Sequence, residues 1–471
     1  MPNIASSPPA AIATPGRDPA AEGNRAYIVA LFFLAFACSY ADRQIISILV
    51  QPLKEALSLS DTQIGLVQGF AFTICYATAG LFVARLVDVS NRVAVSAVCI
   101  LIWSLATMMC GTATGIATLV FWRAGTAIAE AGLSPAASSV FSDLYPPRKV
   151  ARATSIFMLG PYFGGGLALL GGGTLLGWLN QPEPLAALAS HGLAPWQVCF
   201  FVLGLPGLLL AGLLYFTVAE PARHRFAPRP ATMNAAADDT VPNLRDLLHA
   251  LFRQNRFGLP FFAAYIFLIV VFYAHTAWFP TLLIRAFGVP ASTVGQFAGP
   301  TFMIGGTCGV LVAGFLASRG DDAQTLRRVL LIAGCAATIL VPLALAAPLV
   351  GHFGLSLGLF GLCAFAMSIV QALAPVPIQV AIPNRMRGRA IALLVFLTNA
   401  IAGSLGPLAV GAAADWTARS ARSLHGLGLG LAAVGTIGAA ASAALYFIAA
   451  RRTGTAGKAA APSPLCSETQ P

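Results

Sequence analysis

Charge is what this 471-residue chain has least of. Asp, Glu, Lys and Arg make up 10% of it while 57% is apolar, against about 25% charged in a globular protein. So few charges cannot coat a soluble globule with this much apolar sequence, so water is excluded as its main solvent. Cysteine forms no framework: there are nine, none in a CxxC pair or a zinc spacing, and eight of them (38, 75, 99, 110, 199, 308, 335 and 363) lie inside apolar runs. They are expected to be unpaired thiols acting as small apolar side chains. The chain also lacks a GxxxxGK[ST] loop, which argues against direct ATP drive, and lacks the HExxH and GxSxG patterns of familiar hydrolases. Met1 to Asn24, rich in Ala, Pro and Ser, lacks the apolar core of a cleavable secretion signal and reads as a disordered cytosolic tail.

What the chain has is apolar runs of bilayer length, about 20 residues each, between short charged clusters. Twelve crossings are predicted: Ala26–Val50, Thr62–Ala84, Val93–Thr112, Ala117–Phe141, Ser155–Trp178, Trp196–Ala219, Phe257–Ile284, Thr293–Ala317, Val329–Val350, Phe353–Ile382, Ala390–Ala414 and His425–Ala450. The fold class is therefore an all-α membrane protein. With the N-terminus inside, 22 of the 28 Lys and Arg fall on the cytosolic side, so the positive-inside rule puts both termini in the cytosol. The same spread over every inner loop means that the net charge of +11 reflects topology, and no nucleic-acid partner is expected.

The longest polar stretch, 220–256, splits the crossings into two six-helix bundles, 25–219 and 257–452, with a second disordered tail over 453–471. Within that linker, Leu244, Leu247, Leu248, Leu251 and Phe252 have helical spacing and predict a short amphipathic helix on the inner interface. The halves resemble each other. Tyr40-Ala41-Asp42-Arg43 late in crossing 1 matches Tyr273-Ala274-His275-Thr276 late in crossing 7, Gly65 and Gly295 open crossings 2 and 8, and Pro146-Pro147-Arg148 answers Pro383-Asn384-Arg385. Paired six-helix repeats suit alternating access about a midplane site.

Four formal charges lie inside crossings, all in the first half: Asp42, Arg43, Arg123 and Glu130. Each costs about 2.5–3.5 kcal/mol at a helix centre, so each must face a partner or a watery cavity. At about 1.5 Å per residue from the predicted ends, Asp42 lies roughly 12 Å, Arg123 roughly 9 Å and Glu130 roughly 20 Å below the outer surface. Asp42 and Arg123 are then level enough to pair, and Arg43 points to another helix. Two readings stay open: a proton relay through Asp42 and Glu130, or a permanent ion-pair lock. His275, at the repeat position of Asp42, and Tyr40, Tyr76, Tyr162, Gln371 and Asn399 are cavity candidates. Gly160-Pro161 and Gly406-Pro407 are candidate hinges.

Asp42-Arg43-Gln44 through Pro52-Leu53-Lys54, then Leu59-Ser60-Asp61-Thr62-Gln63-Ile64-Gly65-Leu66, and Arg123 through Glu130 to Pro135-Ala136 resemble the bacterial members of the spinster branch of the major facilitator superfamily. The superfamily's inner gate motif is degraded: Ala84 replaces its Gly, Val89 an Arg and Asn91 a Gly, while Arg85, Asp88 and Arg92 remain, and Asp88 would cap crossing 11 when the inner mouth closes. The resemblance implies that Asp42 and Glu130 are the protonation pair with Arg43 and Arg123 as partners, that protons are the coupling ion with no other cofactor or metal, and that the cargo is an amphiphilic lysophospholipid-like or sphingolipid-like solute. The resulting expectation is a proton-coupled secondary transporter, monomeric, in a bacterial inner membrane. An uncoupled facilitator, an organic-anion or drug transporter and a non-transporting receptor are its rivals, and an enzyme is not expected.

Overall fold

The computed structural model of the chain describes residues 19–223, 244–319, 324–419 and 426–453. Most of both predicted tails, the linker stretch 224–243 and His425 lie outside the described residues. The helices are α1 (Pro19–Gln44), α2 (Ile46–Leu57), α3 (Asp61–Gln68), α4 (Phe70–Val89), α5 (Arg92–Cys110), α6 (Ile116–Glu130), α7 (Leu133–Leu144), α8 (Pro147–Phe157), α9 (Gly160–Leu179), α10 (Pro182–Ser190), α11 (Pro195–Thr217), α12 (Leu244–Leu248), α13 (Gly258–Phe287), α14 (Ala291–Ala317), α15 (Thr325–Ala346), α16 (Phe353–Leu373), α17 (Pro375–Ala381), α18 (Asn384–Leu397), α19 (Ser404–Arg419) and α20 (Gly426–Arg452). Two π-helical stretches, His249–Gln254 and Thr398–Gly403, follow α12 and α18.

Among the described residues, eleven spans are long and apolar enough to cross a membrane. The twelfth is α6 with α7, 15 and 12 residues long, joined across a break at Ala131-Gly132. The architecture is thus the expected all-α one, twelve crossings in two bundles of six. Several crossings are built from two helices, and the first differs from its predicted bounds. The apolar window closes at Val50 because Gln51, Lys54 and Glu55 follow. The helix nevertheless runs on to Leu57, where Ser58 ends it in the left-handed conformation (φ 52°). Buried Ile48, Leu49, Val50 and Leu53 hold that extension in the core.

Phe32, Trp103, Phe141 and Phe157 fill a cluster within the first bundle, while a larger apolar cluster runs through the second bundle and across the interface to residues of the first such as Ile48, Leu49 and Leu169. Large apolar side chains such as Phe82, Leu209, Phe216 and Ile437 point outward, as bilayer-facing surface must. At the amphipathic position, Leu247 and Leu251 are buried while Leu248 is exposed, so this segment docks on the second bundle.

The main seams between the halves are α9 on α14, α3 on α19 and α2 on α13, and the first turns of α4 also meet the Thr398–Gly403 stretch. The first is a glycine seam. A Cβ on Gly166 would fall 2.7 Å from Gly299 O, and one on Gly173 would fall 2.6 Å from Ala291 O. These seams lie at the end of the molecule away from the termini. At the terminal end α4 and α18 make no comparable seam, and Val89 is 80% exposed. The molecule is closed at one mouth and parted at the other.

Candidate functional site

Lengthening crossing 1 lowers its charges. Counted back from Leu57, Arg43 sits about 21 Å from the closed mouth, and Glu130, fourteen residues along α6, sits at the same depth. The two pair. Arg43 donates to Glu130 Oε2 from Nε at 2.8 Å, with Nη2 at 2.7 Å, and Ser39 donates to the same oxygen at 2.6 Å. Glu130 is 1% exposed, and its other oxygen, Oε1, is buried without a hydrogen-bond partner. Such an orphan is costly unless it has a use.

The guanidinium of Arg43 lies 4.7 Å from the ring centres of each of Tyr40, Phe72 and Tyr76. This cage supplies the cation with π-faces whether or not the carboxylate is charged.

The expected pairing of Asp42 with Arg123 is corrected. Arg123 Nη1 donates to the backbone carbonyl of Asp42 at 3.1 Å, and the Asp42 carboxylate accepts instead from Thr107 Oγ1 at 3.1 Å. The deeper position of Asp42 explains this. Arg123 lies nearer the closed mouth, helix carbonyls point toward that mouth, and side chains tilt away from it. Arg123 Nε has no partner, and its guanidinium rests 4.7 Å from the Phe72 ring centre.

A small cavity lies between the halves at this level, walled by Tyr40, Arg43, Gln44, Gln68, Phe72, Thr73 and Pro161 from one side and by Phe272, Tyr273, Thr276, Ala277, Phe302 and Pro407 from the other. Both repeat tetrapeptides therefore contribute equivalent positions, Tyr40 with Tyr273 and Arg43 with Thr276. Their third residues, Asp42 and His275, are buried and lie outside the cavity wall. His275 is fully buried, donating from Nδ1 to Val271 O (3.0 Å) and stacking toward Phe279, so it does not line the cavity. Tyr162 is not in the cavity wall but packs at the interface against Gly306 and Phe302, and Gln371 does not reach the cavity. Asn399 stands just behind the wall, accepting from Tyr273 at 3.0 Å. Tyr273, Gln44 and Thr276 are wall residues that sequence reasoning did not single out as a site, although the repeat match contained two of them.

The candidate hinges sit at helix irregularities. Gly160-Pro161 opens α9 after the helix breaks at Met158, and Gly406-Pro407 follows the π-helical stretch at Thr398–Gly403. Both glycines also allow close packing, Gly160 against Phe36 and Gly406 against Val270 O.

The gate residues are split. Arg92 is buried within the first bundle, bound to Glu220 (2.6 Å), Asp143 and the Ser139 hydroxyl (3.0 Å). Arg85 and Asp88 are exposed on the parted side, and Arg223 caps the α4 carbonyls of Val87 and Asp88.

The closed mouth carries its own polar latch. Asp61 binds Arg285 of the opposite half through two 2.9 Å contacts and Lys54 at 2.6 Å. Asp415, also from the opposite half, accepts from the α3 amides of Asp61 (3.1 Å) and Thr62 (2.8 Å) and from the Thr62 hydroxyl (2.5 Å). A carboxylate there meets the positive end of α3. Asp61→Asn and Asp415→Asn each remove one charge-assisted set, worth about 1.5–3 kcal/mol per bond to a charged group. Each should raise labelling of cysteines placed in the α3–α19 seam by roughly tenfold or more. Unchanged labelling would mean the latch does not hold this mouth.

The sequence model described as Major Facilitator Superfamily matches residues 32–407. The chain is 30% identical over 412 residues to an "MFS-type efflux pump" of Mycolicibacterium smegmatis, covering 87% of this chain and 89% of that one. It is 26% identical over 341 residues to the "Probable galactarate/D-glucarate transporter GudP" of Bacillus subtilis, covering 66% and 69%. Among solved structures, a bacterial homolog to the human lysosomal transporter spinster resembles it in two inward-facing forms. The unoccupied form gives a TM-score of 0.78 at 24% identity over 94% of this chain and 99% of that one, and the occupied form 0.70 at 25% over 94% and 98%.

Proposed function

This chain belongs to the major facilitator superfamily, and on that premise we propose that it is a proton-coupled secondary transporter that carries an amphiphilic solute with an anionic head by alternating access. Its fold and relatives are those of multi-pass membrane transporters, not enzymes. The observation that carries the proposal is the Arg43–Glu130 pair, in which Arg43 lines a cavity between the halves and Glu130, buried behind it, has one carboxylate oxygen without a hydrogen-bond partner.

A proton taken up at Glu130 Oε1 cancels the charge that neutralises Arg43. Losing one partner of a buried pair costs about 3–5 kcal/mol. The ring cage returns part of that at about 0.5–2 kcal/mol per face, and an anionic group entering the cavity returns the rest. Proton and anion therefore favour each other's binding, which is the linkage of a symporter. Asp42, held behind the cavity by Thr107, is the second protonation site, and Arg123 anchors the backbone there.

The aromatic wall of Tyr40, Phe72, Phe272, Tyr273 and Phe302 suits an apolar portion of the cargo, and Gln44, Gln68 and Thr276 suit a polar one. Lysophospholipid-like or sphingolipid-like solutes meet both needs, in line with the likeness to the spinster homolog. A second reading, a small organic anion such as a sugar acid, is favoured by the likeness to the galactarate/D-glucarate transporter. A cavity walled by both halves of a single chain supports a monomer as the working unit. The excess of Lys and Arg on the terminal side supports a cytosolic placement of both termini, with the parted mouth the inner one, and the bacterial relatives support an inner membrane.

The test is uptake by purified protein in proteoliposomes, with lysolipids, sphingoid lipids and sugar acids offered with and without an imposed pH gradient. Accumulation of one class that follows the gradient is expected. Ligand binding with no counterflow would make the chain a receptor, and flux indifferent to the gradient would make it a facilitator.

A further inference from the structure

A cavity larger than the central one does not lie between the halves. It is a groove of about 670 Å³ on the second bundle, floored by Phe365, Ala366 and Ile369 of α16 and flanked by Leu316 of α14 and by Leu331, Ile332, Cys335 and Ile339 of α15. It exists because α14 and α15 each pack on α16 but touch each other little, leaving a furrow between them. Ile339, 59% exposed, and exposed Cys335 mark it as open to the surroundings of the bundle.

At bilayer depth an apolar furrow open to the outside fills with hydrocarbon, since water gains nothing there. Its mouth is cationic. Arg327 and Arg328 stand in the first turn of α15, lining the groove's end nearest the termini, together with Gln324. Arg328 donates to Ala317 O at 3.0 Å, bridging the furrow to α14, while its Nε is buried without a partner. Arg319, stacked on Phe315 at 3.9 Å, stands at the same end. Three arginines against Asp321 and Asp322 leave this connecting segment positive in sequence, and the α15 N-terminus adds its partial positive charge.

We infer that this furrow is a binding site for an anionic phospholipid of the leaflet on the terminal side, with an acyl chain along α15 and α16 and the headgroup phosphate on Arg327 and Arg328. Arginine suits phosphate through its planar fork, and basic pockets between crossings at the cytosolic face take anionic headgroups. The furrow is separate from the central cavity, sharing none of its wall residues. The inference does not depend on the transport reading; only the name of the leaflet depends on the cytosolic placement of the termini.

The test is native mass spectrometry and thermal denaturation of the full chain in phosphatidylcholine with and without phosphatidylglycerol. Wild type should retain a phosphatidylglycerol adduct and gain thermal stability from that lipid. Arg327→Gln with Arg328→Gln should weaken retention at least about tenfold. Cys335→Trp, which fills the furrow and keeps both arginines, should do the same, so that a folding failure of one variant does not decide the matter. Arg43→Gln, which removes the cation of the central cavity wall and leaves the furrow untouched, should retain the adduct. Retention equal to wild type in both furrow variants would overturn the site, as would loss of the adduct in Arg43→Gln, which would place the lipid in the central cavity.

Discussion

Glu130→Gln is expected to abolish uptake driven by a pH gradient, by on the order of 100-fold, while substrate counterflow at equal pH persists. The amide keeps the size of the side chain and can still accept from Ser39 and Arg43, which hold Oε2 at 2.6 and 2.8 Å. What it cannot do is take up and release a proton. With Glu130 permanently neutral, Arg43 stays available to the anion, so exchange of bound solute continues, but no proton is carried with the loaded form or released from it, and the gradient cannot drive accumulation. Asp42→Asn should have a smaller effect, because its carboxylate has one side-chain hydrogen bond, to Thr107, and is not paired to a cation of the cavity wall as Glu130 is to Arg43. Parallel gradient-driven and counterflow assays on both variants check this. If Glu130→Gln still accumulates solute along the gradient as wild type does, the pair is a structural lock between α1 and α6.

Much of this arrangement is legible in the sequence, because a bilayer leaves few choices. A run of apolar residues must be a crossing, and a charge inside one must have a purpose, so Asp42, Arg43, Arg123 and Glu130 stand out without any coordinates. The partners were harder to read. Pairing depends on depth, and depth depends on where the first helix ends. Gln51, Lys54 and Glu55 look like a boundary, yet the helix passes through them because its other face, Ile48, Leu49 and Leu53, is buried. Those few residues move Arg43 level with Glu130 and take Asp42 out of line with Arg123.

The latch was illegible for a different reason. Lys54, Asp61, Arg285 and Asp415 read as ordinary interfacial charges at crossing ends, and Asp61 as a helix-starting residue. Their contacts join positions 224 and 354 residues apart, which no local pattern encodes. The internal repeat could have found part of the site. Tyr40 and Tyr273 occupy matching places in the two halves, and both reach the cavity wall.

The repeated glycines carry the same lesson further. Gly65 and Gly295 open crossings 2 and 8 at equivalent places, and each lies in a seam between the halves: a Cβ on Gly65 would stand 2.5 Å from Pro407 O on α19, and one on Gly295 would collide with Leu169 O on α9 and stand 3.0 Å from Gly173 Cα. The atoms met are backbone, so no rotamer change can make room. Gly295→Leu should therefore prevent α9 and α14 from closing, while the interior of each bundle stays intact. Overpacking of this kind costs about 1–3 kcal/mol where side chains can adjust, and more where they cannot. A shift of about 3 kcal/mol changes a two-state ratio by roughly 150-fold, enough to reverse which mouth is shut. Spin labels at exposed Glu55 and Ala286, in a cysteine-free background, should report a longer distance across that mouth in Gly295→Leu than in wild type. Net transport should fall by on the order of 100-fold, since one of the two alternating states is then inaccessible. Gly314→Leu, in the same helix but with open space around its Cβ position, should leave the distance as in wild type. If Gly295→Leu closes as wild type does, the α9–α14 seam is a by-product of packing, and the alternation turns on some other contact between the halves.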